Sequence, residues 1–304
     1  MKRRSGANGK RNSSTRQNAR SNGSGSRAGS SFVGSKKNSR GERGAAKAND
    51  NRSRLSSSAA GRVRFRWVVG IHSCEEVLKV RPQAIQEAVL RDDWSSSHIL
   101  RELAEVLERK GVAIKSVPQG QLDKIGSGHQ GLALAVGEDP VFNLEQMAGQ
   151  ESAIVIALDE IEDPHNLGSI LRTSWLTGVS AILIPDDRAV GLTPAVSKIA
   201  SGGAEHVPVE RCGNLAAEIQ RLKDLGFWVF GLSEKGTALP WAFDLPKKIV
   251  WVVGSEGSGL RVTTERSCDE LVRIPQVKTG SSYNASIAIA MALTETCRQL
   301  GKPD

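Results

Sequence analysis

The chain has 304 residues, with 41 Lys and Arg against 33 Asp and Glu and a net charge of +8. That length allows two domains with sequence to spare. No stretch has the apolar length of a membrane span, no apolar run follows the basic start as a secretory signal would require, and Cys74, Cys212, Cys268 and Cys297 lack metal-binding spacing.

The cysteines therefore read as reduced thiols of a cytoplasmic protein, and neither a metal nor a membrane is expected as a partner. The charge is unevenly placed. Residues 1–66 hold 18 basic residues against Glu42 and Asp50, a net of +16, whereas the remainder holds 23 basic and 31 acidic residues, a net of −8. Residues 1–64 are rich in Ser, Gly, Asn and Arg. They offer too little apolar surface to offset the entropy of ordering, and so read as a disordered basic tail. Its spaced cations suit a phosphate backbone. A solubilising tail is the plain alternative, and a transit peptide ranks behind both because no amphipathic face is present.

Apolar patterning begins at Phe65. Residues 65–137 read as a small α/β unit. Ser73 to Val80 is helical, Ile85 to Leu90 mixes strand and helix patterns, and His98 to Arg109 places Leu100, Leu103, Val106 and Leu107 at helical spacing. Gly111 closes that helix, and strands follow at Val112–Val117 and Gly131–Val136. Residues 138–152 read as a linker with a short helix over Asn143–Met147. From 153 to 304 strands and helices alternate. Strands are expected at Ile154–Leu158, Ser180–Ile184, Phe227–Leu232, Ile249–Val253 and Glu270–Ile274. Helices are expected at Asn166–Leu176, Thr193–Ala200 and Leu215–Leu225, after Leu260, and at Ala285–Leu300. Short buried strands alternating with helices predict a mostly parallel sheet covered on both faces.

Three segments pair a strand end with a polar loop and a helix, which is where ligands bind in open α/β sheets. The first, Asp163-Pro164-His165-Asn166-Leu167-Gly168, carries Arg172 shortly after it. Asn166 is placed as a helix N-cap, and a salt bridge from Arg172 to Glu162 or Asp163 is the plain alternative to a functional role. The second is Val253-Gly254-Ser255-Glu256-Gly257-Ser258-Gly259-Leu260. Its glycines run G-x-x-G-x-G, the wrong order for a dinucleotide loop, and Glu256 would repel a pyrophosphate. A neutral or cationic ligand fits better, with Glu256 as a helix cap the alternative. The third leads from Ile274-Pro275 to Ser281-Ser282-Tyr283-Asn284-Ala285-Ser286, with more small polar residues than a cap needs.

In this order the three segments resemble the motifs of the SpoU (TrmH-like) family of the SPOUT superfamily, RNA ribose 2′-O-methyltransferases. Ala195 to Pro208 and Ser267 to Pro275 resemble the same family. Gly70-Ile71-His72 and His129-Gln130-Gly131 are similar to the RNA-binding domain of its RlmB-type branch, which modifies large-subunit ribosomal RNA. A local hydrogen bond and direct RNA contact remain open for His129.

The resemblance implies an α/β fold with a C-terminal deep trefoil knot, S-adenosylmethionine as cofactor, a guanosine of ribosomal RNA as substrate and a homodimer. It places Gly254, Ile274, Tyr283, Leu232 and Ser233 at the cofactor. Arg172 takes the central catalytic role, and Asn166, Glu256, Ser282 and Asn284 position the ribose and tune Arg172. An arginine is effectively always protonated, so Arg172 is expected to clamp phosphate and stabilise developing alkoxide charge more than to act as a base. Lys278, Gln276, Tyr283 and Ala285 depart from the family's common residues, and Tyr283 would alter the cofactor pocket. A transfer RNA methyltransferase and a non-catalytic ribosome-assembly factor are the rival readings.

Overall fold

A computed structural model describes residues 65–278 and 280–301. The basic tail, 1–64, lies outside the described residues. The first described elements are β1 (Arg66–Val69), α1 (Ile71–Val80), β2 (Ile85–Arg91), α2 (His98–Arg109), β3 (Ile114–Val117), α3 (Gln119–Ile125) and β4 (Leu132–Val136). They form a four-stranded sheet in the order β1-β4-β2-β3. β4 runs antiparallel to both β1 and β2, and β3 runs parallel to β2.

The mixed pattern of 85–90 resolves as a strand. Ile85, Ala88 and Leu90 face the α1 and α2 side while Val89 faces α3, so both faces are buried and the polar alternation that marks a half-buried strand is lost. Helix α3 was not anticipated. Its only buried residue is Leu122, too little apolar surface to set a period.

After α4 (Leu144–Ala148), capped by the Asn143 side chain on Gln146 N–H at 2.8 Å, the second sheet begins. It contains β5 (Ala153–Asp159), β6 (Ala181–Pro185), β7 (Val209–Cys212), β8 (Trp228–Leu232), β9 (Lys248–Gly254) and β10 (Glu270–Val272). Its helices are α5 (Pro164–Leu176), α6 (Pro194–Ala200), α7 (Leu215–Asp224), α8 (Val262–Ser267) and α9 (Ala285–Leu300). The strand order is β10-β8-β9-β5-β6-β7, and every ladder is parallel. Ile154, Ile156 and Leu158 of β5 pack with α5, α6 and α9 on one face, while Ala153, Val155 and Ala157 pack with α7 on the other. Trp251 is fully buried, and its indole N–H donates to Thr296 Oγ1 at 2.9 Å, fixing α9 to β9.

Strand β7, also unanticipated, is short and half-exposed at the sheet edge. The last strand stops at Val272, two residues before its expected end. The order reverses between β5 and β9, which are paired from Ala153↔Lys248 to Asp159↔Gly254. The carboxyl ends of β5, β8 and β9 thus meet at a topological switch point, the place where an open α/β sheet leaves a crevice.

Candidate active site

The three polar segments converge at that switch point. Helix α5 begins at Pro164, with Asp163 as its cap: Asp163 Oδ1 accepts from His165 N–H at 2.8 Å. Asn166 is therefore not the N-cap expected of it. Proline fits the first helical position, where no N–H is needed, and this moves the start two residues upstream. Asn166 is left inside the first turn, 6% exposed, with its amide free to reach across the crevice.

That amide donates to Glu256 Oε1 at 2.9 Å. Asn284 Nδ2 donates to Asn166 Oδ1 at 2.7 Å and also to Glu256 Oε1. Asn284 Oδ1 caps α9 by accepting from Ser286 N–H at 2.9 Å. Glu256 thus caps no helix: its carboxylate joins the loops after β5, β9 and β10 into one triangle of side chains.

The loop that carries Glu256 is held at both ends. Asp159, fully buried at the end of β5, accepts from Arg261 N–H at 2.8 Å and from Arg261 Nε at 2.6 Å. Gly259 N–H donates to Ser255 O at 2.9 Å, and the Ser255 and Ser258 hydroxyls lie 2.7 Å apart. A Cβ on Gly254 would sit 2.2 Å from the Gly259 carbonyl carbon and oxygen, so only glycine lets the loop fold back on β9. Asp159 and Arg261 escaped the sequence reading. An acidic residue ending a strand, with an arginine just past a Gly-rich loop, is the pattern that would have suggested them.

Beside the triangle lies a cavity of about 550 Å³. Leu232, Ser233, Gly254, Ile274 and Tyr283 all line it, as do Glu256 and Ser282. Leu232, Val253, Ile274, Ala285 and Ala288 give apolar walls, while Glu234, Lys235 and Arg273 add charges of both signs that the sequence reading did not single out. Apolar walls with a few charged groups suit a ligand with an aromatic base at one end and a zwitterion at the other, and a carboxylate in the lining tolerates a sulfonium. The chemistry of S-adenosylmethionine fits these residues. Tyr283 O–H donates to Pro275 O at 3.2 Å, so its ring helps form the wall and Tyr283 is tied back to Pro275.

Arg172 stands apart from this group. It lies six residues beyond Asn166, about 9 Å along the helix axis, and does not line the cavity. It is exposed, and its guanidinium forms no ion pair or hydrogen bond among the described residues, so the expected alternative of a bridge to Glu162 or Asp163 is not formed. His129 is 6% exposed. Its Nδ1 accepts from Gly131 N–H at 2.9 Å, so the proton sits on Nε2, 3.1 Å from Asp123 Oδ1. Nδ1 shapes the turn at Gly131 and Nε2 reaches back to Asp123 on α3, which favours the local role.

The sequence pattern of the SpoU rRNA Methylase family matches residues 153–294. That of the RNA 2′-O ribose methyltransferase substrate-binding family matches residues 67–140. The chain belongs to the SpoU methylase family. Over 244 residues it is 36% identical to the 23S rRNA (guanosine-2′-O-)-methyltransferase RlmB of Acinetobacter baylyi, an alignment spanning 77% of this chain and 97% of that protein. Identity to RlmB of Xylella fastidiosa is 34% over 241 residues, 77% and 96% of the two chains. The SpoU methyltransferase AviRb of Streptomyces viridochromogenes, solved in complex with its cofactor AdoMet, superposes with a TM-score of 0.69. That match covers 79% of this chain and 92% of the other at 20% identity, a likeness of fold.

In this SpoU chain the thiols take no part in the site. Cys74, Cys212 and Cys268 donate weakly to backbone carbonyls of Val68, Ile184 and Thr264. Burial pushes all three thiols up, Cys212 to about 11 and Cys268 to about 12, which keeps them unreactive near neutral pH. No helix among the described residues is long and apolar enough to cross a membrane.

Proposed function

We propose that this protein methylates the 2′-hydroxyl of a guanosine ribose in large-subunit ribosomal RNA, using S-adenosylmethionine. The observation that carries the reading is the Asn166–Glu256–Asn284 triangle set against the mixed-polarity cavity, in a chain about 35% identical to RlmB enzymes over nearly their whole length. When bound, S-adenosylmethionine would supply a methyl on a sulfonium to the ribose 2′-oxygen, with a neutral thioether as the leaving group. Leu232, Ser233, Gly254, Ile274 and Tyr283 hold the cofactor. Asn166, Glu256, Ser282 and Asn284 orient the ribose. Arg172, without a carboxylate partner among the described residues, clamps the adjacent phosphate and stabilises charge building on the 2′-oxygen, whose proton passes to a phosphate oxygen or water.

Three further features belong to this reading. The segment from β10 to α9 leaves one edge of the sheet and returns to pack against β9 and α5, a path we take to thread a trefoil knot. A homodimer would cover Ile287 and Met291 of α9, 48% and 40% exposed and one helical turn apart, with Leu176 of α5, and would bring Arg172 beside the interface. The 65–137 unit and the basic tail would hold RNA, in the cytoplasm where ribosomal RNA lies.

Transfer of labelled methyl from S-adenosylmethionine to total RNA, followed by mapping of the modified ribose, tests the proposal. A 2′-O-methylguanosine in 23S-type RNA is expected. A label in transfer RNA would redirect the reading, and no label in any RNA would favour an assembly factor.

A further inference from the structure

Glu205 is a buried carboxylate that the chemistry above does not use. It ends the short turn Gly203–Glu205 after α6, and its side chain is 1% exposed. Both of its oxygens accept from Arg66 Nη2 at 2.8 Å, and Arg81 Nη2 adds a second ion pair. Arg66 lies on β1 and Arg81 just past α1, so two guanidiniums from the four-stranded half converge on one carboxylate of the six-stranded half. Arg66 also donates to Ser197 Oγ at 3.2 Å and pairs with Asp139, and Ser73 Oγ donates to Ser197 O at 2.8 Å.

The next residue repeats the arrangement. His206 Nε2 meets Glu76 Oε1 of α1 at 2.9 Å, and the imidazole stacks on Trp175 with centroids 4.3 Å apart and planes 9° from parallel. Trp175 is three residues beyond Arg172 on α5. The turn itself presses on the same place: a Cβ on Gly203 would lie 2.6 Å from Leu171 O and 3.0 Å from Arg172 N. A buried charge is tolerated only when paired, and here the pairing ties the small sheet to the stretch of α5 that carries Arg172.

We propose that Glu205 and His206 are positioning residues that fix the small RNA-holding sheet at a set distance from Arg172, so that the enzyme selects folded RNA long enough to engage both at once. This rests on the reading of the protein as an RNA methyltransferase. Specificity then comes from the separation between the held part of the RNA and the target ribose, in addition to contacts around the base.

The test compares full-length wild type with E205Q on two RNAs carrying the mapped guanosine: a long ribosomal fragment able to span both halves, and a short hairpin. Wild type is expected to show the lower KM on the long fragment. E205Q should raise that KM about tenfold, a usual size for coupling between sites, while kcat, cofactor affinity and hairpin kinetics stay unchanged. Equal losses on both RNAs, a loss of cofactor affinity, or an unchanged KM would each overturn the inference. If E205Q does not fold, R81A, which leaves Arg66 as counter-ion, carries the same readouts. Filter-binding of the long fragment gives the same comparison without methyl transfer, so failure of the activity and failure of this inference are separable.

Discussion

Glu256 and Glu205 are the same residue type in two regions built for opposite ends. At the crevice above the six-stranded sheet, Glu256 is exposed and takes two side-chain amides, one from the first turn of α5 and one from the cap of α9. At the seam between the sheets, Glu205 is buried and takes two guanidiniums. On the proposed reading, a carboxylate that meets a ligand is left partly solvated and unsaturated. One that must fix geometry is dried and fully paired, since an unpaired buried charge costs several kcal/mol. The contrast separates binding groups from scaffold groups better than residue type does.

The contrast can be broken or sharpened by experiment. The largest effect is expected at the seam: E205A leaves Arg81 without its carboxylate and Arg66 with Asp139 alone, and should cost about 3–5 kcal/mol, read by urea unfolding. E256A should cost less than about 1 kcal/mol on the same assay while sharply reducing methyl transfer. Equal stability losses in the two variants would erase the distinction. R172A should lower kcat by about 10²–10³ and leave unfolding and cofactor affinity, measured by calorimetry, intact; a fully active R172A removes Arg172 from the chemistry.

G254A drives a methyl into the Gly259 carbonyl and displaces the loop by an ångström or so. A loss on the order of 10² in kcat/KM is expected, with the core unaffected by circular dichroism. The smallest effect belongs to a pair in which Arg298 is exposed and Glu295 half-buried. Hydrogen bonds from Arg298 and Gln299 hold the Glu295 carboxyl down at about 2 from an ordinary 4.5. Its contribution is fully present above about 4.5 and is lost as the pH falls through about 2. The stability gap between wild type and E295Q should therefore be constant at neutral pH and close over that acid window.

Much of the larger sheet was legible because β5, β6, β8 and β9 are short apolar runs and the longer helices repeat at 3.6 residues. Helix α9 and helix α2 fall on their expected bounds for that reason. The misses share a cause. β7 and α3 bury few side chains, and β2 is buried on both faces, so none shows a clear period. The cofactor-facing residues inferred from the family resemblance do line one cavity, but Asn166 was misplaced as a cap because proline at the first helical position shifts the start. The partner of Asp159 was missed, since no local period relates residue 159 to residue 261 and only a strand-end acid facing an arginine past a Gly-rich loop hints at the pair.

By itself the sequence determined the alternation of strand and helix, the three polar loops and the split between a cationic head and an acidic remainder, because each is a property of neighbouring residues. Only the tertiary structure decided that Glu256 accepts from Asn166 and Asn284, that Arg172 stands outside the cavity, and that Glu205 ties the small sheet to the helix bearing Arg172. Those contacts join residues 28 to 139 positions apart, and their strength depends on how much water the fold excludes, which no local pattern encodes.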